Sequence, residues 1–133
     1  AATLGVAERV HFLGVRNDVE AILPAFDLIA LTSHREGLPL ALLEGMATGL
    51  PVVATAVGGI VDLLSDGGGI MAPDGDQNTL ASALLAYTDP SRRRADGARA
   101  RDLVIEKYSN RAMLARYLSH YRALSAAKRK LIT

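Results

Sequence analysis

Two carboxylates stand eight residues apart in the stretch "EGLPLALLEGMATGLPVVATAVGG", residues 36–59. Glu36 precedes a Gly-Leu-Pro turn, and Glu44 lies within an apolar run. Proline cannot sit inside a helix but suits its first turn, so the pattern predicts a helix with Leu38 as cap and Pro39 as first helical residue. Leucine has no side-chain oxygen to accept from the amides of a first turn. The backbone N–H groups of Gly37, Leu40 and Ala41 are therefore expected to lack a protein partner. A helix start with free donors and the positive end of the dipole suits an anion such as phosphate. Glycine at 37 would let a ligand approach the backbone with no Cβ in the way.

If both glutamates were helical they would lie about 80° apart around the axis. A break at residues 37–39 instead leaves Glu36 on the loop rim and Glu44 nearly two turns inside the helix. Two hydrogen-bond-accepting carboxylates around a phosphate cradle suit a ligand with hydroxyls on both sides of a diphosphate, and a nucleotide sugar has that chemistry. The plain alternative is that Glu36 only favours the helix dipole and Glu44 is a solvated surface residue. Spacing alone favours that plain alternative. GxGxxG, Walker and metal-ligand patterns are absent. His34 could act as a base beside Glu36, but a lone histidine at a strand end is more often surface decoration. His11 and His120 have less claim.

The elements that must hold this stretch alternate strand and helix. "RVHFLG" (9–14) predicts a strand ending in a glycine turn. "NDVEAILPAF" predicts a helix behind an Asn/Asp cap, ended or kinked by Pro24. "LIALTS" (28–33) reads as a buried parallel strand, "VVAT" (52–55) as a third strand and "GGIMA" (68–72) as a fourth. Asp76 is expected to cap the next helix, and Asp89-Pro90 to start another. The last, after Ser109, is expected to bury Met113, Leu114, Tyr117, Leu118, Tyr121 and Leu124. Such alternation argues for an α/β fold with a doubly wound parallel sheet, in which ligands bind at the carboxyl ends of the strands. The 36–44 stretch begins just past the end of the second strand.

Size and composition agree with one domain. The 133 residues are 50% hydrophobic and 22% charged, which fits a packed core and argues against disorder. With no cysteine there is neither a disulfide framework nor a thiolate metal site. The longest uncharged run, from Gly45 to Val61, is too short and too interrupted by glycine and proline to span a bilayer. The chain opens "AATLGVAERV", without methionine or a signal peptide, and is expected to be a piece of something longer. Charge is split: residues 1–91 hold three basic and eleven acidic residues, and residues 92–133 twelve basic and three acidic. A basic helical end suits anionic lipid, nucleic acid or an acidic domain; the bland reading is a solvated, arginine-rich surface.

The segment "SHREGLPLALLEGMATGLPVVATAVGG" resembles the signature of retaining glycosyltransferases of the two-Rossmann GT-B architecture, glycosyltransferase family 4. Its E-x7-E motif corresponds to Glu36 and Glu44. "RVHFLGVRNDV" before it, and "DGGGIMAPDGDQNTLASAL" and "EKYSN" after it, follow the family's order. The resemblance covers essentially the whole chain. It implies the later part of a nucleotide-sugar-binding domain: a Rossmann-like core over 1–90, closing helices over 91–126 and a frayed tail over 127–133. It implies that Glu36 contacts the donor sugar near the reacting carbon and that Glu44 holds the ribose. Gly37, Leu38, Leu40 and Ala41 would present backbone to the diphosphate or sugar, and Gly14, Val15 and Arg16 would lie along the base. Gly58 and Gly59 fit a close-packed turn near the pocket, with a structural role at least as plausible. The implied donor is a nucleotide-diphosphate sugar, with no metal or other cofactor. The implied acceptor is a glycan or lipid-linked molecule, in the cytoplasm or at the inner face of a bacterial membrane.

The family's arginine and lysine for the leaving diphosphate, and its acceptor domain, would lie upstream of Ala1; Arg16 and Arg35 match neither. Asp62 stands where glutamate is common, and "DGGGI" replaces the usual "DG-x-NG". Other functions stay open. The chain could bind nucleotide without catalysis, or belong to a sugar-nucleotide epimerase of the same architecture. A phospho-receiver domain fits badly, because it needs an acidic pair after the first strand. A nucleic-acid module is disfavoured because Tyr117 and Tyr121 follow the period expected of a buried face.

Overall fold

A computed structural model of the chain describes residues 1–130. Its centre is a three-stranded parallel sheet: β1 (Ile29–Leu31), β2 (Val52–Thr55) and β3 (Gly69–Ala72), in the order β1-β2-β3. Ile29 pairs with Val52, and Val52 with Gly69. Every residue of β2 is buried, as expected of a central strand covered on both faces.

The pleat sends alternate residues of β2 to opposite sides. Val52 and Ala54 join Leu42, Met46, Ile60, Leu63, Ala100, Leu103 and Val104 in one core. These side chains come from α2 (Leu40–Ala47), α3 (Gly59–Leu63) and α5 (Pro90–Lys107). Val53 faces the other way, against Ala83 and Tyr87, with Leu80 packed alongside, on and just beyond α4 (Gln77–Ala86). Helices therefore cover both sheet faces, and the doubly wound architecture holds.

Asp76 caps α4 as expected, its carboxylate accepting from the Thr79 amide at 2.9 Å and the Thr79 hydroxyl at 2.6 Å. Those donors hold the Asp76 carboxyl below the usual range. Asp89 accepts from Ser91 N–H at the start of α5, with Pro90 in the first turn.

Three expectations change. Residues 9–14 form no strand: a short turn occupies Ala7–Arg9, Val10 is extended, and Phe12 is 90% exposed. A strand persists only where a neighbour pairs its backbone, and none among the described residues does so here. A helix follows Asp18 and ends ahead of Pro24 as expected, as a single turn, α1 (Val19–Ile22), passing into a tighter turn at Leu23–Ala25. Asp18 gives it no side-chain cap; both its oxygens accept from Arg16, at 2.8 and 2.5 Å. That contact also lowers the Asp18 pKa.

The last helix, α6 (Asn110–Lys130), does not bury its apolar face. Met113, Leu114, Tyr117, Leu118, Tyr121 and Leu124 are 45–67% exposed. Ala112, on another side of the helix, is half-buried, and Arg116 donates to Lys107 O. With Tyr117 and Tyr121 in solvent, their expected burial no longer argues against nucleic acid. Helix continues through Lys130, where alanine, lysine and arginine are strong helix formers. Residues 131–133 lie outside the described residues.

Candidate functional site

The loop from Thr32 to Pro39 leaves the carboxyl end of β1 and delivers the chain into α2. Pro39 is the cap, with ψ 111°, and Leu40 is the first helical residue, one position later than the sequence suggested. The Pro39 carbonyl accepts from both Leu42 and Leu43 N–H, at 3.1 and 3.3 Å.

The central expectation concerns the amides ahead of those two. No side chain caps α2. Among the described residues, neither the Leu40 nor the Ala41 N–H makes a hydrogen bond. Both residues are exposed, as are Gly37 and Leu38. Leu42 and Met46, on the opposite side of α2, are fully buried, roughly 2 kcal/mol of hydrophobic stabilisation each. Gly45 allows the helix to lie against Ile29, since a Cβ there would stand 2.9 Å from that side chain. The far end of α2 is held by Arg101, which donates to Ala47 O. The helix start is thus aimed outward by a fixed helix.

Glu36 is half-buried, and its Oε1 accepts from Ser33 Oγ at 2.6 Å. Thr55, at the end of β2 and only 5% exposed, donates from Oγ1 to Ser33 O at 2.5 Å. The backbone after Glu36 rests on the turn that opens α3. Gly58 has φ +49°, and a Cβ there would stand 1.8 Å from Glu36 O; one on Gly59 would stand 2.2 Å from Gly37 O. The two glycines are required by this close approach.

Glu44 is exposed on α2 and lines a cleft of about 290 Å³ with Val19, Glu20, Leu23, Ala47 and Thr48. A second cleft, of about 240 Å³, opens at the carboxyl ends of the strands between Thr32, His34, Thr55 and the 73–77 turn. Glu36 lines neither cleft and Glu44 lies beside α1, so the two carboxylates share neither of them. Gly14 has φ +66° in an open turn, and Val15 is fully exposed. The Arg16 guanidinium is engaged by Asp18, which leaves the backbone of 14–16 as the free part of that segment.

Ser33, Thr55 and Asp74 were not singled out in the sequence. A hydroxyl three residues before a loop carboxylate, and another ending a buried strand, were the available signals. His34 has a specific partner, its Nδ1 lying 2.7 Å from Asp74 Oδ1. Among the described residues no group of three His, Asp or Glu is arranged to hold a metal ion.

Comparison with known proteins bears on the family and the fold. Residues 1–89 match the family model described as glycosyl transferases group 1. The N-acetyl-alpha-D-glucosaminyl L-malate synthase of Bacillus anthracis is 35% identical over 89% of this chain, which spans 32% of that enzyme. Sucrose-phosphate synthase of Thermosynechococcus elongatus superposes with a TM-score of 0.84 at 29% identity, over 95% of this chain and 33% of that one. A TarM mutant of S. aureus, solved with UDP, fondaparinux and alpha-GlcNAc-glycerol, gives 0.79 at 27% identity, over 89% and 24%. The chain thus spans about a third of the curated relative and of the first of these structures. The sheet and its helices match the Rossmann-like unit of these GT-B enzymes.

Proposed function

Because the chain belongs to the group 1 glycosyl transferases, we propose that it is the donor-binding part of an enzyme that moves a sugar from a nucleotide-diphosphate sugar to a glycan or lipid-linked acceptor. The observation that carries this is the start of α2, where Leu40 and Ala41 present free N–H groups between Glu36 and Glu44 in the sequence. A diphosphate lying there gains hydrogen bonds and the favourable end of the helix dipole. Those interactions strengthen as the bond from the sugar's anomeric carbon to the diphosphate breaks and charge collects on the leaving group.

Glu36 faces the donor sugar near that carbon and orients it; Glu44 accepts from the ribose hydroxyls. Gly37 and Leu38 offer backbone to the diphosphate or sugar, and residues 14–16 run beside the base. Transfer proceeds with retention at the anomeric carbon and without a metal. The acceptor cleft, and the basic pair that neutralises the leaving diphosphate, come from the same protein outside this chain. The isolated chain therefore binds nucleotide without turning it over. Membership of a transferase family favours this over an epimerase of the same architecture.

The protein acts in the cytoplasm, at the inner face of the membrane. Among the described residues no helix is long and apolar enough to cross a bilayer. α6 has no acidic residue, a set of exposed apolar side chains, and Arg111, Arg116, Arg122, Lys128, Arg129 and Lys130 along its length. Those features suit a helix lying on anionic lipid.

Single Glu36→Ala and Glu44→Ala variants of the complete enzyme test the site. Both are expected to lose most donor turnover with the fold intact; wild-type turnover in both would end the assignment.

A further inference from the structure

A carboxylate that must meet a sugar in one orientation needs its own side chain held, because glutamate has three rotatable bonds and many rotamers. The loop that carries Glu36 shows how this is done. Thr55 is buried at the end of the central strand, and its hydroxyl donates to the Ser33 carbonyl at 2.5 Å, fixing the loop to the sheet. The Ser33 hydroxyl then donates to Glu36 Oε1 at 2.6 Å. A hydroxyl carries one proton to donate, so the Ser33 proton is committed to Glu36. On the backbone side, Gly58 and Gly59 abut the Glu36 and Gly37 carbonyls and block retreat of the loop. The carboxylate is reached from a rigid strand through two hydroxyls, an arrangement that preorganises a group instead of merely exposing it.

We propose that Ser33 is a positioning residue for Glu36, itself set in place by Thr55, so that sugar transfer depends on the Thr55–Ser33–Glu36 series of contacts. This rests on the reading of Glu36 as the group facing the donor sugar. Ser33 acts through Glu36 and belongs to the sugar side of the site. Removing its hydroxyl should therefore slow turnover and leave binding of the bare nucleoside diphosphate alone.

The test is a double-mutant cycle in the complete protein carrying this chain. UDP-glucose, UDP-N-acetylglucosamine and GDP-mannose serve as donors, and the nucleoside diphosphate released as the sugar passes to water or acceptor is measured. Ser33→Ala should lower kcat about tenfold when Glu36 is present, roughly 1.4 kcal/mol in barrier. It should have no further effect in the Glu36→Ala background. Ser33→Thr should restore turnover, and calorimetry should give unchanged affinity for UDP or GDP. Thr55→Val, which keeps volume and loses the hydroxyl, should show the same dependence on Glu36. Wild-type turnover in Ser33→Ala with Glu36→Ala impaired would overturn this proposal alone, as would equal losses in both backgrounds. Wild-type turnover in Glu36→Ala would remove the reading of Glu36, and this proposal with it.

Discussion

Gly59 has no room for a side chain, because a Cβ on it would stand 2.2 Å from the carbonyl oxygen of Gly37. Real Cβ contacts with a carbonyl oxygen stay beyond 3 Å, so any larger residue must push the 36–37 loop away. The consequence links the two halves of the 36–59 stretch. The glycines that open α3 set how far the Glu36 loop can move, and that loop leads directly into the uncapped start of α2.

Gly59→Ala should therefore damage both stability and the site. Overpacking of this kind typically costs about 1–3 kcal/mol, which for a domain of this size lowers the melting temperature by several degrees. Donor turnover in the complete protein should fall by more than the lost folded fraction explains. Calorimetric unfolding together with steady-state turnover at a temperature where the variant is fully folded checks both parts.

Glu44 is proposed to hold the ribose, and a chemical deletion on the ligand isolates that contact. Loss of a hydrogen bond to a charged acceptor costs roughly 1.5–3 kcal/mol, about tenfold or more in affinity. Glu44→Ala should weaken binding of the preferred nucleoside diphosphate by that factor. A deoxyribose diphosphate should bind the wild type more weakly than its ribose counterpart, and the variant should barely distinguish the two. Calorimetric titration of both ligands against both proteins gives the comparison directly.

Much of this was legible beforehand, and the reasons differ by element. β2 and the caps at Asp76 and Asp89 follow from local chemistry: a β-branched buried run, and carboxylates placed before first-turn amides. The uncapped start of α2 was legible because leucine and proline offer no side-chain acceptor. Residues 9–14 have the composition of a strand but no pairing partner among the described residues, and a strand is a property of two segments. The α6 apolar face reads as buried from its period, yet period reports a face and not what covers it. The Thr55–Ser33 contact is not legible locally because it spans 22 residues of sequence, whereas Ser33 lies only three residues before Glu36.

The α6 surface makes a prediction of its own. The complete protein should co-sediment with vesicles containing phosphatidylglycerol and much less with pure phosphatidylcholine. The difference should shrink as salt shortens the electrostatic range. Replacing Tyr117 and Leu118 with serine should reduce sedimentation on the anionic vesicles. Equal recovery on both vesicle types would contradict an anionic-lipid surface.

Tyr87 offers a check on the core away from the site. Its phenol is buried, donates to Asp96 Oδ2 at 2.8 Å, and lies under the Arg92 guanidinium at 5.7 Å. Burial first, and then Asp96, raise its pKa well above the ordinary value near 10. The neutral form is thus favoured in the folded state. Stability from this group is complete below pH 10 and declines as pH rises past it, because the unfolded chain ionises first. Tyr87→Phe should lose about 1 kcal/mol at neutral pH and should flatten the decline above pH 10. Denaturant unfolding at neutral and alkaline pH measures both effects.

The most direct test of the central claim follows backbone amides during titration of the 133-residue chain with UDP, GDP and ADP. At least one of the three should move the amide resonances of Gly37, Leu40 and Ala41 most, with Glu44 next. Shifts confined to the 73–77 turn or to α6, or no saturable shift with any of the three, would contradict a diphosphate held at the start of α2.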